Sequence, residues 1–168
     1  FDLNVTATSG ESDGDTISAT SAFTVDVQSV ADAPELDTIN AAGDEDTAIA
    51  LEIDSSLVDT DGSETLSITI AGVPDGAVLS AGVDNGGGTW TLQPDQLDGL
   101  TITPPADFSG SFDLNVTSVA REAEGDIATT ASTVTVDVRG VADTPTLSTA
   151  DVSGDEDTPI ALDIASQL

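Results

Sequence analysis

The sequence predicts an all-β chain built from tandem antiparallel β-sandwich modules of about 111 residues. Three observations carry that reading. Residues 1–57 align without gaps on residues 112–168, and 31 of the 57 positions are identical. Apolar residues alternate with polar ones over several short runs, the period of a strand with one buried face. The acids are 24 Asp against 8 Glu, and Asp favours turns and caps over helix interiors, so carboxylates gather in loops between strands.

The repeat sets the phase. Phe1-Asp2-Leu3-Asn4-Val5-Thr6 returns as Phe112-Asp113-Leu114-Asn115-Val116-Thr117, and Thr24-Val25-Asp26-Val27 as Thr135-Val136-Asp137-Val138. Val30-Ala31-Asp32 with Pro34 returns as Val141-Ala142-Asp143 with Pro145, and Gly43-Asp44-Glu45-Asp46-Thr47 as Gly154-Asp155-Glu156-Asp157-Thr158. A period this long is a whole small domain rather than one turn of a solenoid. Each proline follows an alternating strand and a short Val-Ala-Asp linker. One complete module is therefore expected over residues 34–144, with 1–33 the last strands of a preceding module and 145–168 the first strands of the next.

Within the module the elements follow in order. Ile49, Leu51 and Ile53 alternate with Ala50 and Glu52; Leu66, Ile68 and Ile70 with Ser67 and Thr69; Trp90 and Leu92 with Thr89 and Thr91. Phe112, Leu114 and Val116 alternate with Asp113, Asn115 and Thr117, and Val134, Val136 and Val138 with Thr135, Asp137 and Arg139. Asp61-Gly62, Pro74-Asp75-Gly76, Asn85-Gly86-Gly87-Gly88, Pro104-Pro105 and Gly125-Asp126 punctuate these runs as turns. No segment sustains a helical period. About seven half-buried strands in one module point to an immunoglobulin-like sandwich. Trp90, in phase with Leu92, is expected in the core rather than on a sugar-binding surface. The two Asn-Val-Thr sequons lie in strands and carry no weight.

Composition excludes much chemistry. The net charge is −30, with Arg121 and Arg139 the only basic residues and no Lys, His, Cys, Met or Tyr. That removes disulfides, thiolate nucleophiles, imidazole bases and ligands, Schiff bases and the P-loop. Nucleic acid and acidic membrane surfaces would repel such a chain. No run approaches the roughly 18 apolar residues of a membrane span, and no secretory signal with a basic start is visible. Opening inside a strand-like run, Phe1 is not expected to be a natural terminus. Carboxylates, hydroxyls and carbonyls remain, and they are the ligands of a hard cation such as Ca²⁺.

The acids recur in groups at loop positions. Asp44, Glu45 and Asp46 stand between the first two strands, with Asp155, Glu156 and Asp157 as their counterparts. Asp59, Asp61 and Glu64 stand between the second and third, and Asp32 or Asp143 is the lone linker acid. In immunoglobulin topology the loop after the second strand lies beside the incoming linker and the loop after the first beside the outgoing one. Acids of consecutive modules would then converge at each junction, where like charges cost free energy unless a cation is present. Those eleven residues are the expected Ca²⁺ ligands, with Glu122, Glu124 and Asp126 a further group at the incoming end. An EF-hand is not among the readings, since its loop would place a Glu where Ile70 stands. Asp-Gly turns on a solvated acidic surface are the plainer account of any one group taken alone.

The order Asp-Glu-Asp-Thr, Leu-Val-Asp-Thr-Asp-Gly-Ser-Glu and Val-Ala-Asp-Ala-Pro resembles the cadherin-like tandem domains of very large bacterial adhesins. Gly62-Ser63-Glu64-Thr65-Leu66, Gly72-Val73-Pro74-Asp75-Gly76-Ala77, Leu79-Ser80-Ala81-Gly82 and Gly88-Thr89-Trp90-Thr91-Leu92 look more closely like repeat modules of type I-secreted RTX adhesins. The resemblance spans the whole repeat. It implies an extracellular fibre on a bacterial cell surface, with Ca²⁺ stiffening the module junctions. It places Glu45 at the family's glutamate near the first strand, and Asp59 and Asp61 at its paired aspartates. The sequence departs from the cadherin pattern at the linker, which has one acid, and before the sixth strand, where Ala106-Asp107-Phe108 replaces an acidic pair. The nonapeptide calcium repeats of RTX C-termini are absent.

A structural extender repeat is therefore the expected function, its partners being neighbouring repeats of the same chain or adjacent copies in a fibre, with no nucleic acid and no membrane insertion. The alternative is a ligand-binding module for glycan or another surface, although no aromatic cluster or regular Thr array stands out. Catalysis is not expected, because a small repeated sandwich with short loops offers no evident cleft for a carboxylate pair. Acidity as salt adaptation can coexist with the extender reading. The partial modules 1–33 and 145–168 are expected to be completed by neighbouring chains or by the rest of a longer filament.

Overall fold

A computed structural model describes residues 1–59 and 62–167. The alternating runs form a central all-β body flanked by two ribbons. The first ribbon is β1 (Asp2–Gly10) with β2 (Thr16–Thr24), and the last is β14 (Thr146–Thr149) with β15 (Ile164–Gln167). Between them come β3 (Glu35–Ile39), β4 (Ala41–Asp44), β5 (Ile49–Ala50), β6 (Glu52–Ser56), β7 (Glu64–Ala71) and β8 (Val78–Leu79). The body ends with β9 (Val83–Gly86), β10 (Thr89–Leu92), β11 (Thr101–Thr103), β12 (Gly110–Glu122) and β13 (Ile127–Arg139). Among the described residues the only helical piece is one 3₁₀ turn, Pro94–Gln96.

The larger sheet has the order β4-β13-β12-β7-β10-β9. All its pairings are antiparallel except that of β4 with β13, which is parallel. The opposing strands are β5-β11-β8 and the pair β3-β6. These two groups are joined through Leu51, which separates β5 from β6 and whose N–H donates to the Leu100 carbonyl at 2.9 Å. The run 49–56 thus passes from one partner strand to another, where the sequence alone reads as one strand. The body also has more, shorter strands than the seven expected. Asn85 and Gly86 belong to β9, which pairs back on β10 and adds an edge strand to the larger sheet.

Alternation decides what is buried. On β7 Ile68 and Ile70, on β12 Leu114 and Val116, and on β13 Val134 and Val136 have no solvent exposure. They meet Ile49, Leu51, Ile53, Leu79 and Ile102 from the opposing strands in one apolar cluster. This is a sandwich-like core, with strand neighbours such as Val116 and Ile70 in register across β12 and β7. Trp90 is half-buried and packs against the same cluster.

The flanking ribbons repeat the body's pairings without its core. Asp2 pairs with Thr24, and the counterparts Asp113 and Thr135 are also paired. Thr146 pairs with Gln167 just as Glu35 pairs with Ser56. Even the β1–β2 turn is the same: Glu11 N–H to Asp15 carbonyl at 2.8 Å matches Glu122 N–H to Asp126 carbonyl at 2.9 Å. Burial differs completely. Leu3 is 40% exposed where Leu114 is 0%, and Leu162 is 72% exposed where Leu51 is 3%.

Candidate metal centres at the two ends of the body

The motif Gly43-Asp44-Glu45-Asp46-Thr47 builds its own turn. Asp46 takes the left-handed conformation (φ 57°), which Asp tolerates better than most residues. Thr47 Oγ1 donates to the Asp44 carbonyl at 2.8 Å and locks the turn. Gly43 lies so close to Ile49 that a Cβ there would stand 2.6 Å from Ile49 Cγ1. The second copy forms the same turn, with Asp157 at φ 63° and Thr158 Oγ1 bonded to the Asp155 carbonyl at 2.7 Å. Asp155, Glu156 and Asp157 are all exposed there.

At the outgoing end this turn seizes the linker. Glu45 is buried; its N–H donates to the Arg139 carbonyl at 2.9 Å, and its Oε1 accepts the Val141 N–H at 2.6 Å. Asp46 Oδ1 accepts the N–H of Asp107 at 3.2 Å. Carboxylate oxygens of Asp46, Asp107 and Asp143 lie within 4.8 Å of one another, all three residues exposed. That trio has the hard-oxygen character a Ca²⁺ ion takes. Asp44 does not join it; its Oδ1 lies 3.1 Å from Arg139 Nε, in an exposed ion pair.

The incoming end is built differently. Linker residues 29–32 dock on the loop and strand ends through acids. Ser29 Oγ donates to Glu124 Oε2 at 2.6 Å, the Ala31 N–H to Asp126 Oδ2 at 3.0 Å, and the Asp32 N–H to Glu64 Oε1 at 2.9 Å. Glu64 and Glu122 are direct cross-strand partners of β7 and β12. Both are buried, at 7% and 3% exposure. Ser63 Oγ lies 3.4 Å from Glu122 Oε1. The remaining oxygens, Glu64 Oε2 and Glu122 Oε2, are buried with no hydrogen-bond partner among the described residues. Asp59 is half-buried on the adjoining loop, and Asp61 lies outside the described residues.

The sequence-expected acids thus divide between two ends. Glu45, Asp46 and Asp143 stand at one, and Asp32 and Glu64 at the other. Two residues outside the principal set belong with them. Asp107, read as a departure from the family pattern, is brought in by a left-handed turn (φ 57°) after Pro105. Glu122 is in phase with Leu114, Val116 and Ala120 on β12, so its position in the alternation marks it as inward-facing. Comparison with protein-family models, curated proteins and solved structures returned no match.

Proposed function

We propose that the chain is a structural extender of immunoglobulin-like, cadherin-like modules in an extracellular bacterial surface fibre, with Ca²⁺ bound at each module junction. The observation that carries this is the grip on the linker from both sides. Through the repeat, Val141, Ala142 and Asp143 are the counterparts of Val30, Ala31 and Asp32. In a tandem array the upstream module's Glu45 would hold the Val N–H, as it holds Val141. The downstream Asp126 and Glu64 would hold the next two N–H groups, as they hold Ala31 and Asp32. Three consecutive linker residues would be fixed by carboxylates of two modules, and those carboxylates repel one another until a cation joins them.

The sandwich supports the same reading. The parallel β4–β13 pairing beside antiparallel β12, β7 and β10 supports the immunoglobulin-like reading, in which the two linkers would leave from opposite ends. Modules so connected multiply length rather than pocket. With strands as long as the 13 residues of β12, each module would add on the order of 40 Å. Calcium would act mechanically, removing hinge freedom and stabilising the folded state to which alone it binds.

Thermal melting of the chain in chelator and in millimolar CaCl₂ tests the proposal. Binding at about 100 times Kd contributes about 2.7 kcal/mol, a rise of several degrees. An unchanged Tm would sink the calcium reading.

A further inference from the structure

Two acids at the incoming end pose a separate problem. Glu64 and Glu122 face each other across β7 and β12, both more than nine-tenths buried. Each keeps one oxygen, Oε2, buried and with no hydrogen-bond partner among the described residues. Buried carboxylate oxygens are ordinarily hydrogen-bonded or held by a cation, so two unpartnered ones side by side call for a ligand. No basic side chain serves them. Arg121 is exposed and of opposite parity on β12, and Arg139 pairs with Asp44 at the other end of the body. Neither Glu is in the exposed trio of Asp46, Asp107 and Asp143.

We propose that Glu64 and Glu122 form the floor of a divalent-cation site of their own, a calcium site that fills without an upstream module. The two carboxylates would supply up to four oxygens, and Ca²⁺ takes six to eight, so backbone carbonyls and water would complete the shell. This site is tighter than the exposed trio, because its anchors are already ordered by packing and their charges are neutralised only by the ion. It also couples the ion to the linker, since Glu64 Oε1 accepts the Asp32 N–H and Asp126 Oδ2 the Ala31 N–H. Filling this site therefore fixes residues 31 and 32 against the body before a junction is complete. The inference rests on the proposed calcium binding for the identity of the ion.

Calcium titration calorimetry on the 168-residue chain tests it, with Glu64→Gln, Glu122→Gln and Asp107→Asn beside the wild type. The expected result is a tighter class of site weakened at least about tenfold by either Gln variant and untouched by Asp107→Asn. Melting in chelator adds a readout that a merely structural role would not move. Glu122→Gln should melt above the wild type there, since an amide can donate to Glu64 where a second carboxylate repels it, and should lose the calcium-induced rise. Wild-type binding in both Gln variants, with binding lost only in Asp107→Asn, would overturn the inference and leave the junction proposal standing. No calcium binding by the wild type would overturn both.

Discussion

The carboxylate of Glu45 accepts the backbone N–H of Val141 at 2.6 Å, closing a loop of 96 residues with one charge-assisted bond. It ties the turn after β4 to the chain leaving β13, so the direction in which the linker departs is set by a side chain.

Replacing that side chain should free the linker without unfolding the body. Glu45→Ala is expected to cost about 1–3 kcal/mol, the range for a buried hydrogen bond to a charged group. Amide hydrogen exchange in calcium is the measurement: Val141 should lose protection while Val134 and Val136 keep theirs. Loss of protection throughout β13 would mean that Glu45 holds up the fold rather than the linker.

The repeat supplies matched pairs for testing burial. Leu114→Ala removes a fully buried side chain and should cost about 2–5 kcal/mol. Leu3→Ala, the same change at the counterpart position, should cost under about 0.5 kcal/mol within residues 1–168, where Leu3 is 40% exposed. Urea denaturation of the two variants measures the difference. Equal costs would mean that the face of β1 and β2 is covered in solution.

A second pair concerns the acidic turn. Gly43→Ala would push a Cβ to 2.6 Å from Ile49, a 3% exposed core residue, and should cost roughly 1–3 kcal/mol. Gly154→Ala meets Ile160 at 2.8 Å, but that isoleucine is 46% exposed and can turn aside. Its effect on the same urea transition should be within about 0.5 kcal/mol.

Ionic strength and calcium should separate. A net charge of −30 destabilises the folded chain by self-repulsion, so NaCl should raise Tm gradually in chelator. Calcium at matched ionic strength should raise it further. Arg139→Gln, which breaks an exposed pair, should change stability by at most about 1 kcal/mol. Coincident NaCl and CaCl₂ curves would reduce the acidity to salt adaptation.

Much of the fold was legible in the sequence because strands with one buried face must alternate. Ile49, Leu51 and Ile53, like Val134, Val136 and Val138, are buried as their alternation implied. What alternation does not carry is pairing. The switch of partner at Leu51 and the turning of β9 onto β10 depend on which strands lie opposite, and that is settled by tertiary packing. The candidate sites divide in the same way. Glu45 and Asp46 were readable as a repeated turn motif. The Glu64–Glu122 pair needed the β7–β12 register, although each Glu sits in phase with its strand's buried residues, an incongruity visible in the pattern. Asp107 was not read as a ligand because a left-handed turn, not its neighbours in sequence, carries it to Asp46.

The parallel pairing of β4 with β13 has a consequence under load. Tension drawn through the two linkers would pull β4 back from its start and β13 forward from its end, along the line of the strands. The ladder spanning four register pairs, Val136–Ala41 to Arg139–Asp44, would then be sheared as a unit instead of being peeled one bond at a time. Resistance to rupture is governed by the rate of unfolding rather than by equilibrium stability. In the proposed tandem array, such a body would yield late when stretched, even where its thermal stability is modest.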